Sequence, residues 1–526
     1  MTAGAPRLLR NTVANMSAHV VTAAVAFITL PFMLAHFGKG YYGVFALVNS
    51  LVALVALFDL GTTIVLIKQI AQIDPQKNPQ KFVDTIRLGR RWLAVFGIVN
   101  AAILGSFTFL PFLHANLSSD ETFLFRAMLA FYVLAQLIVW PAKIGNIILA
   151  GRQRYDVIAL VNAAVALTNA CAIIAVLLLG RGPLVLTACF VVISTTASVA
   201  LAVYALQTES RRTRSLPNEK YGTGRFFSTL TSGTSRHLLR VALPIFFIQV
   251  AVFSVQQQTD RVILGIMIGA AAIALYEAAA KLGALLFQII GLAISATPSF
   301  VAHKETITTR EGMNTFFITG SRYLSLLLIP TFAALLVFAP AIIQVWMGSD
   351  FAVSATAAQF LIASALPFPL LILIDSILIA RDQYKVWLPY AILVAVINLI
   401  FTVFLVYQLG FVGVAIGTFI ACLSDIACKL WVLHAKIRCS VRRWARRVVL
   451  PTALAAGLSA LLAWLLIQGL APRIEESSTA LLASFVITLA IAYGVIFLGI
   501  LNKDERSTCL NLARSILKPW QQRKKL

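Results

Sequence analysis

The chain has 526 residues, of which 60% are hydrophobic and 12% are charged, and its mean hydropathy is +0.88. This balance excludes an ordinary soluble domain, because so much apolar surface can be buried only if part of it faces lipid. The net charge of +23 would favour nucleic-acid binding in a soluble protein, so the positions of the basic residues decide what it means here.

Fourteen apolar runs are long enough to cross a bilayer, which takes about 20 residues in a helix. We therefore expect an all-α polytopic membrane protein with about 14 transmembrane helices. The first run is too long for the core of a signal peptide, so we expect it to remain as a helix. In chain order the runs lie near residues 12–35, 43–67, 92–113, 123–149, 157–179, 183–206, 241–265, 273–301, 323–345, 353–380, 387–407, 413–434, 448–469 and 479–501.

The basic residues lie mainly on alternate connections between these runs. Of 43 Lys and Arg residues, 35 lie in the termini and the even-numbered connections, and three lie in the odd-numbered connections. By the positive-inside rule the basic side is cytoplasmic, so both termini are expected there. Anionic lipid accounts for this charge excess, and nucleic-acid binding is not indicated. Five cations remain inside the spans: Arg126, Lys143, Arg261, Lys281 and Lys429.

Two stretches of similar sequence indicate an internal repeat. An offset of 229 residues pairs Arg152 with Arg381 and Tyr155 with Tyr384. Six spans return the chain to its starting side, so a duplicated six-helix unit would give two lobes of the same orientation. The predicted domains are an N-lobe at 1–206, a cytoplasmic linker at 207–240, a C-lobe at 241–434, an additional helix pair at 448–501 and a basic cytoplasmic tail at 502–526.

The sequence carries no motif of an enzyme. No predicted outer loop exceeds about ten residues, which leaves little room for an external active site. Phosphate-loop, zinc-helix and nucleophile-elbow motifs are missing, and the six cysteines lack metal-ligand spacing. We expect no catalytic residue, no metal and no cofactor.

Ionisable residues inside spans are costly in lipid, so each is a functional candidate. Glu277 and Lys281 are four residues apart on one helical face, as are Asp425 and Lys429, and a structural pair explains this spacing as well as a binding site does. Asp59 has no cation in its own span, so it needs a partner elsewhere, a proton or water.

Other polar residues in the spans have competing explanations. Arg126 and Asp375 lie near span ends, where we expect them to reach the interface. The side chain of Lys143 can either extend to the membrane interface or line a cavity. Asp260 and Arg261 follow three glutamines and a threonine, a polar stretch that favours a cavity wall over a lipid contact.

Short motifs occur in order along spans 1 to 12. They are F-G-K-G-Y-Y-G-V at 37–44, F-D-L-G at 58–61, T-D-R-V-I-L-G at 259–265 and Q-L-G-F-V-G-V-A-I-G-T at 408–418. Their order and spacing resemble those of Wzx-like polysaccharide and O-antigen flippases of the multidrug/oligosaccharidyl-lipid/polysaccharide (MOP) exporter superfamily. The lipid II flippase branch carries several arginines in its first spans, whereas this chain has none between Thr12 and Lys68, which argues against that branch.

The resemblance implies two six-helix lobes of the MATE type around a cavity that opens alternately to each side. It also implies that the chain flips a polyprenyl-diphosphate-linked oligosaccharide from the cytoplasmic to the outer leaflet of a bacterial inner membrane, for O-antigen, capsule or exopolysaccharide synthesis. Cations in the cavity suit a diphosphate. The expected substrate-binding residues are Arg261, Lys281, Lys143, Gln256, Gln257 and Gln258, and the ion-coupling candidates, for H⁺ or Na⁺, are Asp59, Asp260 and Glu277.

The expected partners are the lipid-linked glycan and membrane lipids, with a polysaccharide polymerase and chain-length machinery as candidate protein partners.

Two alternative functions stay open. A drug or cation antiporter of the MATE type would have the same fold, although such antiporters usually have twelve spans. A membrane glycan polymerase or ligase would be an enzyme, and the short outer loops argue against it.

Overall fold

Helices are the only regular secondary structure in the described part of the chain, which confirms the predicted all-α class. The structure is a computed structural model, and it describes residues 5–59, 61–213, 246–247, 258–294, 309–381, 383–507 and 510. These residues form two compact units. The first lies within Met1–Ala296 and Leu378–Asp425, and the second lies within Thr297–Ile377 and Ile426–Leu526.

The helices follow the predicted apolar runs closely. In chain order they are α1 (Ala5–Val55), α2 (Thr62–Gln72), α3 (Pro79–Ser106), α4 (Ser119–Ala142), α5 (Ile144–Gly151), α6 (Tyr155–Leu178), α7 (Pro183–Thr213), α8 (Gln258–Met267), α9 (Ala270–Ile294), α10 (Arg310–Met347), α11 (Ser354–Ala365), α12 (Phe368–Ala380), α13 (Tyr384–Leu409), α14 (Phe411–Ala435), α15 (Val441–Trp444), α16 (Leu450–Glu476) and α17 (Ser478–Val495). Two π-helical turns, Ala445–Val449 and Ile496–Ile500, extend α15 into α16 and continue α17.

The described residues contain 11 helices long and apolar enough to cross a membrane, or 12 if one bent pair is a single span. The predicted spans at 12–35 and 43–67 share α1, which Gly38 interrupts with a φ of 76°. Glycine reaches this left-handed region without the clash that a Cβ would cause, so the chain can turn there. Most of the predicted span at 241–265 lies outside the described residues.

The predicted span at 43–67 is not one continuous helix. Helix α1 ends at Val55 and α2 begins at Thr62. In between, the backbone N–H of Gly61 donates to Asp59 Oδ1 at 2.8 Å, and Gly61 has a φ of 72°. The carboxylate thus closes a turn that the apolar composition of this stretch did not reveal.

The predicted span at 353–380 is also broken. It consists of α11 and α12, which are bent by 51° relative to each other. Pro367 lies between them and Pro369 lies in the first turn of α12, and proline removes a backbone donor and disfavours helix in the preceding residue. By contrast, Pro31 and Pro330 lie inside α1 and α10.

The core of the first unit is built from α2 to α5 and α7. Trp140 on α4 is fully buried and lies 6.2 Å from the ring of Phe96 on α3, measured between centroids. Gly145 on α5 allows a close approach to α7, because a Cβ there would lie 2.5 Å from the backbone nitrogen of Ala202. In the same unit α1 packs against α6 and α9.

In the second unit α10 packs against α11, α16 and α17. Phe338 on α10 meets Phe485 on α17 edge to face, with 5.8 Å between ring centroids. The tyrosine hydroxyl of Tyr493 on α17 lies 2.8 Å from the hydroxyl of Thr331 on α10. The last two predicted spans are therefore integrated with α10 within this unit.

Large apolar side chains cover the outside of the helices. Leu178, Phe109 and Tyr407 are each more than four-fifths exposed, at 82%, 81% and 88%. Exposure of this kind over many long apolar helices is what a lipid environment requires. The chain is a multi-pass membrane protein.

Candidate substrate and ion-coupling site

A tight turn brings α8 and α9 together in the first unit. The backbone N–H groups of Ile268 and Gly269 both donate to the carbonyl of Leu264 at 2.9 Å, and Gly269 has a φ of 121°. The chain reverses at this turn, so Asp260 and Arg261 on α8 come to lie beside residues 276 and 277 on α9. The spacing of residues within α8 or within α9 does not predict this contact between the two helices.

Glu277 lies between two cations. Arg261 Nε donates to Glu277 Oε2 at 2.6 Å, and Lys281 Nζ lies 3.1 Å from Glu277 Oε1. The predicted pairing of Glu277 with Lys281 is confirmed. The side chains of Arg261 and Glu277 are only 9% and 5% exposed, whereas that of Lys281 is 30% exposed, so Lys281 is the most accessible of the three.

Asp260 is the centre of a second set of buried hydrogen bonds. The hydroxyl of Tyr276 donates to Asp260 Oδ2 at 2.5 Å, and the hydroxyl of Thr418 on α14 donates to the same oxygen at 3.5 Å. Asn398 Nδ2 on α13 lies 3.5 Å from the Thr418 hydroxyl oxygen. The other oxygen of Asp260, Oδ1, is buried and has no hydrogen-bond partner among the described residues.

The two sets are adjacent, since Asp260 precedes Arg261 and Tyr276 precedes Glu277. Tyr42 on α1 is buried and interacts electrostatically with both Glu277 and Arg261. The formal charges of Asp260, Arg261, Glu277 and Lys281 cancel. This part of the unit is therefore a compact polar site without net charge, enclosed by helices α1, α8, α9, α13 and α14.

Lys143 and Asp59 form a separate polar pair in the same unit. Lys143 lies at the break between α4 and α5, and its ammonium is 3.4 Å from the centroid of the Trp140 ring. Asp59 is a nearby carboxylate that interacts electrostatically with Lys143, and its Oδ1 atom accepts a hydrogen bond from the backbone N–H of Gly61. A cation over an aromatic ring is partly stabilised there, which suits a half-buried lysine.

The predicted glutamines and Arg126 are not part of either of these two groups as the structure describes them. Gln256 and Gln257 lie outside the described residues, and Gln258 is described only as the first residue of α8. Arg126 is exposed, as expected for a cation near a span end.

In the second unit, Lys429 Nζ forms an ion pair with Asp375 Oδ2 at 2.8 Å. Asp375 was expected to reach the interface, but its side chain is only 15% exposed because it faces this lysine.

Sequence reasoning assigned no role to Tyr42, Tyr276, Asn398 or Thr418. Their types are common in membrane helices, and their grouping depends on contacts between helices far apart in the chain. The available signals were the position of Tyr276 directly before Glu277 and the position of Thr418 at the end of the motif at 408–418.

Residues 8–302 match the family model described as polysaccharide biosynthesis protein. The chain belongs to the polysaccharide biosynthesis protein family. The match spans more than half of the chain and includes Asp260, Arg261, Glu277 and Lys281. The resemblance inferred from short motifs is thereby confirmed, and the family is one of transporters, not of enzymes.

Solved structures show the same fold for this member of the polysaccharide biosynthesis protein family. A structure titled lipid II flippase MurJ in the inward closed conformation matches with a TM-score of 0.66 at 16% identity, covering 91% of this chain and 98% of that one. An outward-facing multidrug resistance MATE transporter of the MOP superfamily has a TM-score of 0.52 at 16% identity, covering 81% and 94%. A MOP superfamily transporter from Pyrococcus furiosus has a TM-score of 0.55 at 16% identity, covering 82% and 96%. No curated protein matches the chain in sequence.

Proposed function

We propose that this protein is a flippase that moves a polyprenyl-diphosphate-linked oligosaccharide from the cytoplasmic to the outer leaflet of a bacterial inner membrane. The observation that carries the proposal is the family match, which includes the ion-paired group Arg261, Glu277 and Lys281. The product would be used for a surface polysaccharide such as O-antigen, capsule or exopolysaccharide. Both termini would lie in the cytoplasm, and a polysaccharide polymerase and chain-length machinery are the proposed protein partners.

The chemistry of the site supports a phosphate-bearing substrate. Arg and Lys offer charge-assisted hydrogen bonds to phosphate oxygens, and such bonds are strong in a site with little water. Before a substrate binds, Glu277 is the ion-pair partner of both Arg261 and Lys281. A diphosphate that enters would replace the carboxylate as the partner of Lys281 first, because Lys281 is the more exposed, and then of Arg261. Glu277 would regain the cations when the substrate leaves, so the empty protein avoids an unpaired buried charge.

The charge balance bears on what drives transport. The empty site has no formal net charge, whereas a diphosphate diester adds two negative charges to it. A membrane potential that is negative inside therefore favours outward movement of the loaded site by about 5 kcal/mol per 100 mV for two charges. The return of the empty site is insensitive to the potential.

Among the three carboxylates proposed for ion coupling, Asp260 is the best placed. Its Oδ1 atom is buried without a hydrogen-bond partner in the described residues, and this is where a proton or Na⁺ would bind. Glu277 already holds two cations, and Asp59 closes the turn before α2. Lys143, next to Asp59, would bind an acidic part of the headgroup in the same unit.

The test uses the purified protein in liposomes with a fluorescent polyprenyl-diphosphate oligosaccharide in the inner leaflet. We expect Lys281→Ala and Arg261→Ala to reduce flipping at least about tenfold, the effect of one lost charge-assisted bond. Arg126→Ala is the matched control, since Arg126 is an exposed cation of a span outside the site. Full flipping by both site variants would exclude this site as the diphosphate site.

The same liposomes test the alternative of a MATE-type antiporter, which the shared fold keeps relevant. An antiporter of cationic drugs would accumulate a cationic dye when an ion gradient is imposed, and it would leave the labelled lipid in place. That result would reject the flippase assignment while leaving the fold and the family unchanged.

A further inference from the structure

A cavity of about 410 Å³ lies in the second unit, at the start of α10 and beside the segment that joins α14 to α16. Ligand pockets typically have volumes of about 300–1,000 Å³, so a small headgroup fits. The cavity plays no part in the proposed transport of the lipid-linked glycan. Helix α10 lines it with Glu311, Asn314, Thr315, Ile318 and Thr319, and the joining segment lines it with Arg438, Cys439, Ser440, Arg443 and Arg447.

The lining is strongly basic. Arg443 and Arg447 are four residues apart and line the cavity together with Arg438, whereas Glu311 is the one acidic residue among the described residues of the lining. Burial raises the pKa of the Cys439 thiol, with Arg443 opposing the shift, so the thiol stays neutral near pH 7 and adds no negative charge. The cavity thus has a net positive charge, and it also offers hydroxyl groups that can donate hydrogen bonds.

Arg438 has a backbone conformation that points to a role for its side chain. Its φ is 55°, in the left-handed region, at the end of α14. The turn is held by hydrogen bonds from Ile437 N to Val432 O and from Cys439 N to Leu433 O, both at 3.1 Å. Glycine is the usual residue at such a position, and strained side-chain-bearing residues there are often functional.

Two further contacts shape the cavity. Asn314 Oδ1 is buried without a hydrogen-bond partner in the described residues, so one end of this amide is available for a ligand. The backbone carbonyl of Arg447 accepts from Arg322 Nη1 at 2.6 Å, which fixes the segment that carries the Arg447 side chain.

The position of the cavity along the helices indicates the source of a ligand. It lies where the apolar stretches Glu311–Met347 and Val441–Gly469 begin. The ends of membrane-spanning helices lie near the lipid headgroups. The positive-inside pattern assigns this end to the cytoplasmic side. Basic pockets between transmembrane helices at this depth bind phosphate-bearing headgroups.

We propose that this cavity binds a phosphate ester through Arg438, Arg443 and Arg447, with Asn314 Oδ1 as the acceptor for a hydroxyl group of the ester. The headgroup of an anionic phospholipid and a soluble phosphate ester share this chemistry. The headgroup is the favoured source, because the cavity lies at the membrane surface.

Native mass spectrometry of the full-length protein in detergent tests this with phosphatidylglycerol, phosphatidylcholine and glycerol 3-phosphate as separate probes. We expect the protein to retain phosphatidylglycerol preferentially, and Arg443→Ala and Arg447→Ala to weaken that binding about tenfold each. Arg442→Ala and Arg446→Ala are matched controls, because both residues are exposed on the same segment and neither lines the cavity. We expect these controls to change binding by less than about twofold.

Arg438→Gly separates binding from folding. Glycine adopts the left-handed conformation freely, so this variant should fold at least as well as the wild type while binding the lipid less tightly. Equal losses of phosphatidylglycerol binding in Arg442→Ala and Arg443→Ala would overturn the proposal, since the arginines would then act only as a diffuse positive surface. Arginine-dependent binding of glycerol 3-phosphate alone would support the phosphate site and identify its source as soluble. Retention of phosphatidylcholine as strong as that of phosphatidylglycerol would also overturn the proposal.

Discussion

Arg261 and Glu277 form a buried ion pair across the turn between α8 and α9, with 2.6 Å between Nε and Oε2. Lys281 binds the other oxygen of the same carboxylate at 3.1 Å. Two cations that a substrate could use are therefore held by one acidic residue, and each partner keeps the other from being an unpaired charge in the membrane.

The pair makes a prediction about stability. Glu277→Ala should lower the free energy of unfolding by about 3–5 kcal/mol, because it removes the carboxylate that both cations share, and Arg261→Ala should lower it by less, because Lys281 still pairs with Glu277. The double variant should lose less than the sum of the two. Thermal unfolding in detergent of the wild type, the two single variants and the double variant gives a double-mutant cycle. Strictly additive losses of unfolding free energy would show that the two side chains are not coupled.

Glu277→Gln should separate binding from turnover. The amide still accepts a hydrogen bond from Arg261 but no longer competes for the cations as a negative charge, so a diphosphate lipid should bind more tightly and leave more slowly. We expect a lower Kd together with slower flipping, measured by lipid binding in detergent and by the liposome assay. If Kd and flipping both equal those of the wild type, Glu277 has no part in substrate exchange.

Asp260→Asn tests ion coupling. Asparagine can still accept the hydrogen bond from Tyr276, so the variant should fold, whereas Asp260→Ala would leave that hydroxyl unpaired at a cost of about 1–3 kcal/mol. We expect Asp260→Asn to make flipping independent of an imposed H⁺ or Na⁺ gradient, with Asp59→Asn as the comparison. An unchanged response to both gradients in Asp260→Asn would remove Asp260 from the coupling candidates.

The contact between Arg322 and Glu505 predicts a dependence on pH. Arg322 Nε and Nη2 donate to the two oxygens of Glu505 at 2.7 and 3.2 Å, and Asn502 N donates to Oε2 at 2.9 Å. Burial would raise the pKa of Glu505, but these hydrogen bonds outweigh it and hold the pKa below the ordinary value of 4.5. The carboxylate therefore stabilises the folded state above that value, and the contribution is lost as the pH falls through the lowered folded pKa.

We expect hydrogen exchange in residues 496–507 to accelerate as the pH falls below about 4.5, after correction for the intrinsic rate. Glu505→Gln should show rapid exchange already at neutral pH and no further change on acidification. Asp504→Asn is a control on the same turn. The same acid-induced change in Glu505→Gln as in the wild type would contradict the assignment.

Lys429 and Asp375 supply a second buried pair, in the other unit. Their atoms are 2.8 Å apart, and Lys429 also lies 5.2 Å from the centroid of the Phe368 ring at the start of α12. Lys429→Ala should cost about 3–5 kcal/mol of stability, because the buried Asp375 carboxylate loses its ion pair with Lys429. Asp375→Ala/Lys429→Ala should be more stable than either single variant, which thermal unfolding in detergent measures.

Much of the architecture follows from composition. The helical class and the approximate positions of most helices could be predicted, because each long apolar run must satisfy its backbone hydrogen bonds within itself in lipid. Fourteen spans were expected, and the described residues contain 11 or 12 helices long and apolar enough to cross a membrane. Breaks inside the runs were harder to foresee. The 51° bend between α11 and α12 has a proline at its centre, yet Pro31 and Pro330 are accommodated within their helices, so local sequence did not distinguish the two outcomes.

The sequence by itself determined that five cations lie in the spans and that Glu277 and Lys281 share a helical face, since a separation of four residues sets that geometry. Only the tertiary structure decided that Arg261 joins them and that Asp260 meets Tyr276 and Thr418. It also decided that Lys429 pairs with Asp375, 54 residues earlier in the chain. These contacts depend on a turn and on helix packing between residues far apart in the chain, which no local pattern records. They are favoured because a charge that is buried without a partner costs about 3–5 kcal/mol.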